Sequence, residues 1–267
     1  NTIIMTKDLI IQNIDSLKKH TSINYGIKTK TEKFTEKLFY TLFDSNAKLT
    51  QSIDELEKQF KEIATIACKK PENLCGAVWE NFVTKLPTIL KMLNQDAEYI
   101  LENDPASKSI EEVYLTYPGF YAIAIYRLSH ELYLLDMLLF SRLMSEYAHR
   151  ITGTDIHAGA TIAAPFFIDH ATGIVIGETT VIHPYVKVYQ GVTLGALSVN
   201  KDMEDVKRHP TVEENVCIYA NATILGGETT IGKNSIVGGN SWTTRSVPEN
   251  SVVMNTTTTE VRIKEKK

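Results

Sequence analysis

The sequence predicts an α+β chain: a helical bundle over residues 1–150, a parallel β-helix over 151–255, and a short tail, 256–267. Two observations carry this reading. Aliphatic residues recur every six positions, at Ile156, Ile162 and Ile168, then after a shift of two at Ile176, Ile182, Val188 and Leu194. The register resumes at Val212, Ile218 and Ile224, and again at Ile231 and Val237. A period of six suits neither a helix nor simple strand alternation. It is the pattern of hexapeptide repeats, each hexad forming one short strand of a prism whose coils stack on one another. The second observation is charge: between residues 151 and 200 only Asp155, Asp169, Glu178 and Lys187 are charged, against 22% in the whole chain. A sandwich of short strands would instead show turn signals roughly every 8–12 residues with alternation between them.

The first half reads as helices. The clearest is "SIDELEKQFKEIATIACKKP", from Ser52 to Pro71. Ser52 and Glu55 match the capping box that satisfies unpaired donors at a helix start. Ile53, Leu56, Phe60, Ile63 and Ala67 then share one face, and Pro71 ends the run. Residues 8–19, 31–44, 76–103 and 119–150 are expected to be helical too, with Pro87 breaking the third of these. The segment 119–150 is apolar nearly all round, so it should be buried among helices or between subunits. Trp79 and Trp242 read as packing residues. Within the solenoid, "GALSVNKDMEDVKRHP", residues 195–210, is densely charged and reads as a loop pushed out of one coil.

Composition narrows the function. The net charge is −4 and no basic stripe is present, which argues against a nucleic-acid partner. No apolar run reaches the roughly 18 residues a membrane span needs, and the first residues show no secretory pattern. Cys68, Cys75 and Cys217 match no zinc, redox or disulfide spacing. The expectation is a cytoplasmic protein with reduced thiols and no metal.

Against this background the pair Asp169-His170 stands out. An Asp at a solenoid corner is commonly a turn residue. An imidazole beside a carboxylate can also serve as a general base, since histidine titrates near neutrality. Asp155 lies fifteen residues earlier, almost one coil of about eighteen, so it can face the same side.

The segments "DIHAGATIAAPFFIDHATGIVIGETTVI", "QGVTLGA" and "RHP", with "NDPAS" and "GFYAIAIYRLSHEL" before them, resemble the serine O-acetyltransferase family. The resemblance spans roughly residues 95 to 250. It implies a left-handed β-helix, acetyl-CoA as co-substrate, L-serine as acceptor, and O-acetylserine as product on the way to cysteine. It also implies a homotrimer or a dimer of trimers, and L-cysteine as feedback inhibitor. Carried over residue by residue, His170 is the base that takes the serine hydroxyl proton, and Asp155 orients it. Asp169 and Asp104 take the substrate ammonium, and Arg208, beside His209, takes its carboxylate with a planar fork. Gly191 and Gly195 are candidates for stabilising the oxyanion through backbone N–H groups. Gly195, Ala196, Ala220, Gly238 and Gly239 match positions that line the CoA groove between adjacent prisms. The remaining histidines, His20, His130, His149, His157 and His183, read as structural.

The chain departs from the family pattern at four places. Ala196 replaces a glycine, and the loop before Arg208 is longer and more charged. His157-Ala158 lacks the usual proline, and "VVMNTTTTEVRIKEKK" replaces a turn that helps wall the CoA site. The last of these ends in Lys267 rather than isoleucine, which argues against docking into cysteine synthase. Rival readings are another hexapeptide acetyltransferase acting on a sugar, antibiotic or homoserine, a zinc carbonic anhydrase, and a non-catalytic scaffold. The zinc reading needs three histidines on facing coils, whereas His157, His170 and His183 are spaced by thirteen.

Overall fold

The computed structural model describes residues 6–18, 25–67, 72–198 and 206–256. Seven helices come first: α1 (Lys7–Leu17), α2 (Gly26–Phe43), α3 (Leu49–Ala67), α4 (Glu72–Asn103), α5 (Ile110–Thr116), α6 (Pro118–Leu134) and α7 (Leu138–Thr152). Fourteen short strands follow. They are β1 (Thr154–Ile156), β2 (Thr161–Ile162), β3 (Phe166–Ile168), β4 (Ile174–Ile176), β5 (Val181–Ile182), β6 (Val186–Val188) and β7 (Thr193–Gly195). Beyond the loop come β8 (Thr211–Val212), β9 (Cys217–Ile218), β10 (Thr223–Leu225), β11 (Thr230–Ile231), β12 (Ile236–Val237), β13 (Trp242–Thr243) and β14 (Val252–Val253).

The strands wind into a left-handed β-helix of about five turns with three parallel sheets. Sheet A holds β1-β4-β7-β10-β13, sheet B β2-β5-β8-β11, and sheet C β3-β6-β9-β12-β14. The hexad anchors Ile156, Ile162, Ile168, Ile176, Ile182, Val188, Leu194, Val212, Ile218, Ile224, Ile231 and Val237 are all buried along the prism axis. Each such aliphatic contributes about 1.5–3 kcal/mol on leaving water. Asparagines at Asn215, Asn221, Asn234, Asn240 and Asn250 turn the corners with positive φ, a region their short polar side chains tolerate. The coils are not uniform. Thr154 pairs with Ile174, twenty residues on, whereas Val175 pairs with Thr193, eighteen on.

The helices pack on one side of the first coils. Arg127 of α6 ties the halves together while almost fully buried. It donates through Nε and Nη2 to both oxygens of Asp96 on α4, at 2.6 and 2.7 Å, and through Nη1 to the carbonyl of Ile162 at 3.0 Å. The N–H of Phe166 donates to Asp96 as well, at 2.8 Å. Gly119 at the start of α6 lies on the backbone of β3, where a Cβ would fall on the carbonyl oxygen of Ile168.

Several helical expectations need correction. α3 begins at Leu49, so Ser52 and Glu55 lie inside it and form no capping box; Glu55 instead binds Lys37 and Gln51. Pro87 does not break α4, which runs unbroken to Asn103 with the proline inside it. The segment 119–150 is two helices, divided at Leu135–Met137, where Asp136 takes a positive φ of 62° and reverses the chain. The short α5 escaped the periodicity altogether. Its cap is Ser109, whose hydroxyl accepts from the Glu112 N–H at 3.2 Å. Trp79 is buried as expected, but Trp242 is 70% exposed on the outer face of sheet A. Pro71, residues 199–205 of the charged loop and residues 257–267 lie outside the described residues.

Candidate active site

The corner between β3 and β4 carries Asp169 and His170. The chain reverses there with His170 and Ala171 at positive φ, 58° and 65°. The Ala171 N–H donates to the Asp169 carbonyl at 2.7 Å and the Thr172 N–H to the His170 carbonyl at 2.8 Å. This tight turn presents the imidazole outward, its side chain 67% exposed, with Nδ1 3.6 Å from Asp169 Oδ1. Asp104 approaches the same edge from the end of α4. Its Oδ1 accepts the Ala106 N–H at 2.8 Å and its Oδ2 accepts the Tyr117 hydroxyl at 2.6 Å. Tyr189 on the next coil has its pKa raised by burial first and then by charges that include Asp169 and Asp104. The two carboxylates therefore share one neighbourhood.

Arg208 and His209 occupy a different edge, between sheets A and B. The backbone N–H groups of both residues donate to Thr179 Oγ1, at 3.0 and 3.1 Å. The Thr179 N–H donates in turn to His209 Nδ1 at 3.1 Å, which assigns the ring proton to Nε2 in the neutral imidazole. The ring fills the space above Gly177, where any Cβ would collide with it. The guanidinium of Arg208 is paired through Nη2 with Glu178, whose other oxygen accepts the Tyr133 hydroxyl at 3.0 Å. Burial works to raise the Glu178 pKa, but the hydrogen bonds from Arg208 and Tyr133 outweigh it and hold the carboxyl below its ordinary value. His157 lies close by. Burial lowers its pKa, against the opposing pull of Glu178 and Asp155.

The expected site residues therefore divide between two edges of one prism. Asp104, Asp169 and His170 stand with Ala220, Gly238 and Gly239 on the edge between sheets C and A, where Gly239 rests on the Ala220 carbonyl of the preceding coil. Arg208, His209, Gly195 and Ala196 stand on the edge between A and B. Asp155 projects from the middle of β1 on the intervening face, in a row with Val175, Thr193, Thr223 and Trp242. Among the described residues no hydrogen bond joins Asp155 to His170 within this copy. The first coil is twenty residues long, so a step of fifteen stops one corner short of Asp155's own face. The Gly191 N–H donates to the Thr172 carbonyl at 2.9 Å and so is already engaged. His157, His170 and His183 fall on three different edges, as a spacing of thirteen requires on coils of this length.

Sequence reasoning missed Glu178, Tyr133 and Tyr117. Glu178 did leave a signal, as one of only four charges between residues 151 and 200. Tyr133 and Tyr117 left none, because a tyrosine in a helical half reads as packing.

His209 makes the second edge sensitive to acid. Burial, then the Arg208 charge, pushes its pKa from an ordinary 6.5 down to about 4. Between those values the unfolded chain binds a proton that the folded chain refuses, so stability falls as pH drops from about 6.5 to about 4. Melting curves across that window should show the loss, and His209→Asn should flatten it. An unchanged slope in the variant counts against this assignment.

No protein-family model matches the chain. A plasmid-encoded serine acetyltransferase of Synechococcus elongatus is 48% identical over 177 residues, which are 64% of this chain and 55% of that protein. The chain thus spans about half the length of that relative. The serine acetyltransferase of Bacillus licheniformis is 43% identical over 164 residues, 61% of this chain and 74% of its own length. A crystal structure of serine acetyltransferase isoform 3 from Entamoeba histolytica, in complex with cysteine, superposes with a TM-score of 0.78 at 31% identity. That alignment covers 97% of this chain and 93% of the other. With this agreement in sequence and in fold across both halves, the chain belongs to the serine acetyltransferase family.

Proposed function

We propose that this protein transfers the acetyl group of acetyl-CoA to the hydroxyl of L-serine, giving O-acetylserine and CoA. The observation that supports this best is the pairing of chemistries on the two prism edges. One edge carries an exposed imidazole 3.6 Å from the Asp169 carboxylate, with Asp104 held by Tyr117 at the end of α4. The other carries a braced guanidinium at Arg208. A small amino acid needs all three: an anionic grip for its ammonium, a planar fork for its carboxylate and a base for its hydroxyl.

In this mechanism His170 takes the hydroxyl proton as the serine oxygen bonds to the thioester carbon. The tetrahedral intermediate collapses with cleavage of the C–S bond, and the imidazolium returns the proton to the departing sulfur. The reading requires the two edges to meet between copies. Three prisms arranged with sheet A toward a common axis bring the His170 edge of one copy against the Arg208 edge of the next. The face so covered carries Val175 and the exposed Trp242, apolar side chains suited to burial between copies. In that arrangement Asp155 on one copy is placed to orient His170 on its neighbour, and the CoA glycines from the two edges line one groove.

Release of CoA thiol from acetyl-CoA, followed with L-serine as acceptor, tests the proposal. Turnover with serine, absent or far slower with homoserine, a galactoside or chloramphenicol, is the expected result. L-Cysteine presents the same ammonium and carboxylate and should compete with serine. Turnover confined to one of the other acceptors would replace this reading with that of a different acetyltransferase.

A further inference from the structure

We propose that the Tyr117-Pro118-Gly119 junction between α5 and α6 positions Asp104 against Asp169 and thereby sets the affinity for the amino-acid acceptor. The inference rests on the function proposed above and assigns positioning roles to Tyr117 and Gly119.

The junction touches the carriers of both carboxylates. Tyr117 donates its hydroxyl to Asp104 Oδ2 at 2.6 Å, while the Ala106 N–H holds Oδ1 at 2.8 Å. With both oxygens engaged, the Asp104 carboxylate has one rotational setting. Tyr117 is itself fixed by its backbone. Its N–H donates to the Val113 carbonyl at 3.3 Å and closes α5, while its carbonyl accepts the Tyr121 N–H at 3.1 Å and opens α6. Its φ of −84° and ψ of 109° lie in the extended region to which a following proline restricts a residue, and Pro118 then starts α6. Two residues on, Gly119 lies against the carbonyl of Ile168, the residue immediately before Asp169. The absence of a side chain at Gly119 is what allows this approach. A single rigid link of three residues thus runs from one carboxylate to the backbone that carries the other.

A tyrosine that merely filled space would not need its hydroxyl aimed at a carboxylate from a helical half otherwise remote from the chemistry. Tyr117 packs against the hydrophobic core beside a cavity of about 650 Å³ that it lines with Phe39, Phe43, Tyr114 and Tyr121, and none of these neighbours requires its hydroxyl to face Asp104. Burial and the bond to Asp104 raise the phenol pKa to about 12, which keeps it a donor throughout any assay range.

The test is Tyr117→Phe in the full chain, which keeps the ring and removes one hydrogen bond to a charged group. The KM for L-serine should rise about tenfold while kcat stays within about twofold and the KM for acetyl-CoA is unmoved. In an Asp104→Asn background the same change should add little, because the two groups act as a unit. Gly119→Ala is the harsher arm, expected to raise the serine KM further by lifting α6 from β3; should it fail to fold, Tyr117→Phe decides. An unchanged serine KM, equal changes in both KM values, or additivity with Asp104→Asn overturns the inference alone. A parent protein that neither acetylates nor binds L-serine overturns it together with the proposed function.

Discussion

His170→Asn is expected to lower kcat by about 100-fold or more, with the melting temperature close to that of the parent. Asparagine is chosen because His170 sits at a φ of 58°, in the left-handed region. Asparagine tolerates that conformation, whereas alanine would add backbone strain to the loss of the imidazole. The side chain is 67% exposed and packs little, so its removal should cost the fold almost nothing. A chemical role therefore separates cleanly from a structural one. The serine KM should stay within a few-fold, since under the proposed function the ammonium is held by Asp169 and Asp104, which the substitution leaves in place. Full activity in the asparagine variant would remove His170 from the reaction and leave the solenoid without a base on that edge.

The largest effect on stability is expected at the opposite end of the exposure scale. Asp96→Ala should cost about 3–5 kcal/mol, because it strands the Arg127 guanidinium in the interior. For a chain of this size that lowers the melting temperature by roughly 10 °C. The carboxylate also accepts the Phe166 N–H at 2.8 Å, so its loss leaves a ladder donor at the start of β3 unsatisfied. Breaking a buried pair differs from replacing it. Asp96→Leu combined with Arg127→Met removes both charges and should recover part of the loss. Thermal unfolding of the single and double variants measures this directly. A double variant no better than the single would mean that the Arg127 bonds to Ile162 and Ala163 matter more than charge balance.

The solenoid was legible because its period is enforced by burial. Ile162, Ile182 and Val212 stack in register on sheet B, and each must be aliphatic for the prism to fill. The helical boundaries were not, because local signals there are overridden by packing. Ser52 and Glu55 have the spacing of a cap yet lie within α3, where the face bearing Leu56, Phe60 and Ile63 decides the helix position. Pro87 is accommodated inside α4, whose neighbouring Leu86, Ile89 and Leu93 are buried in the core. Asp136 lay within a segment, 119–150, that reads as apolar nearly all round, and its positive φ reveals the turn. In the site, residue types were readable but their grouping was not. Asp155 and His170 read as facing the same side on an assumed coil of eighteen, whereas the first coil is twenty residues long, with Asp155 in the middle of β1 and His170 at a corner. Arg208 was identified without Glu178, since a partner thirty residues away in sequence is brought beside it only by the loop's return.

The distribution of charged groups over two prism edges bears on how such a protein is governed. Under the proposed function and pairing, each polypeptide carries both sets of side chains, yet none completes a working centre by itself. Dilution, or a partner that competes for the bare indole face, would then act as an off-switch without touching a single reacting atom.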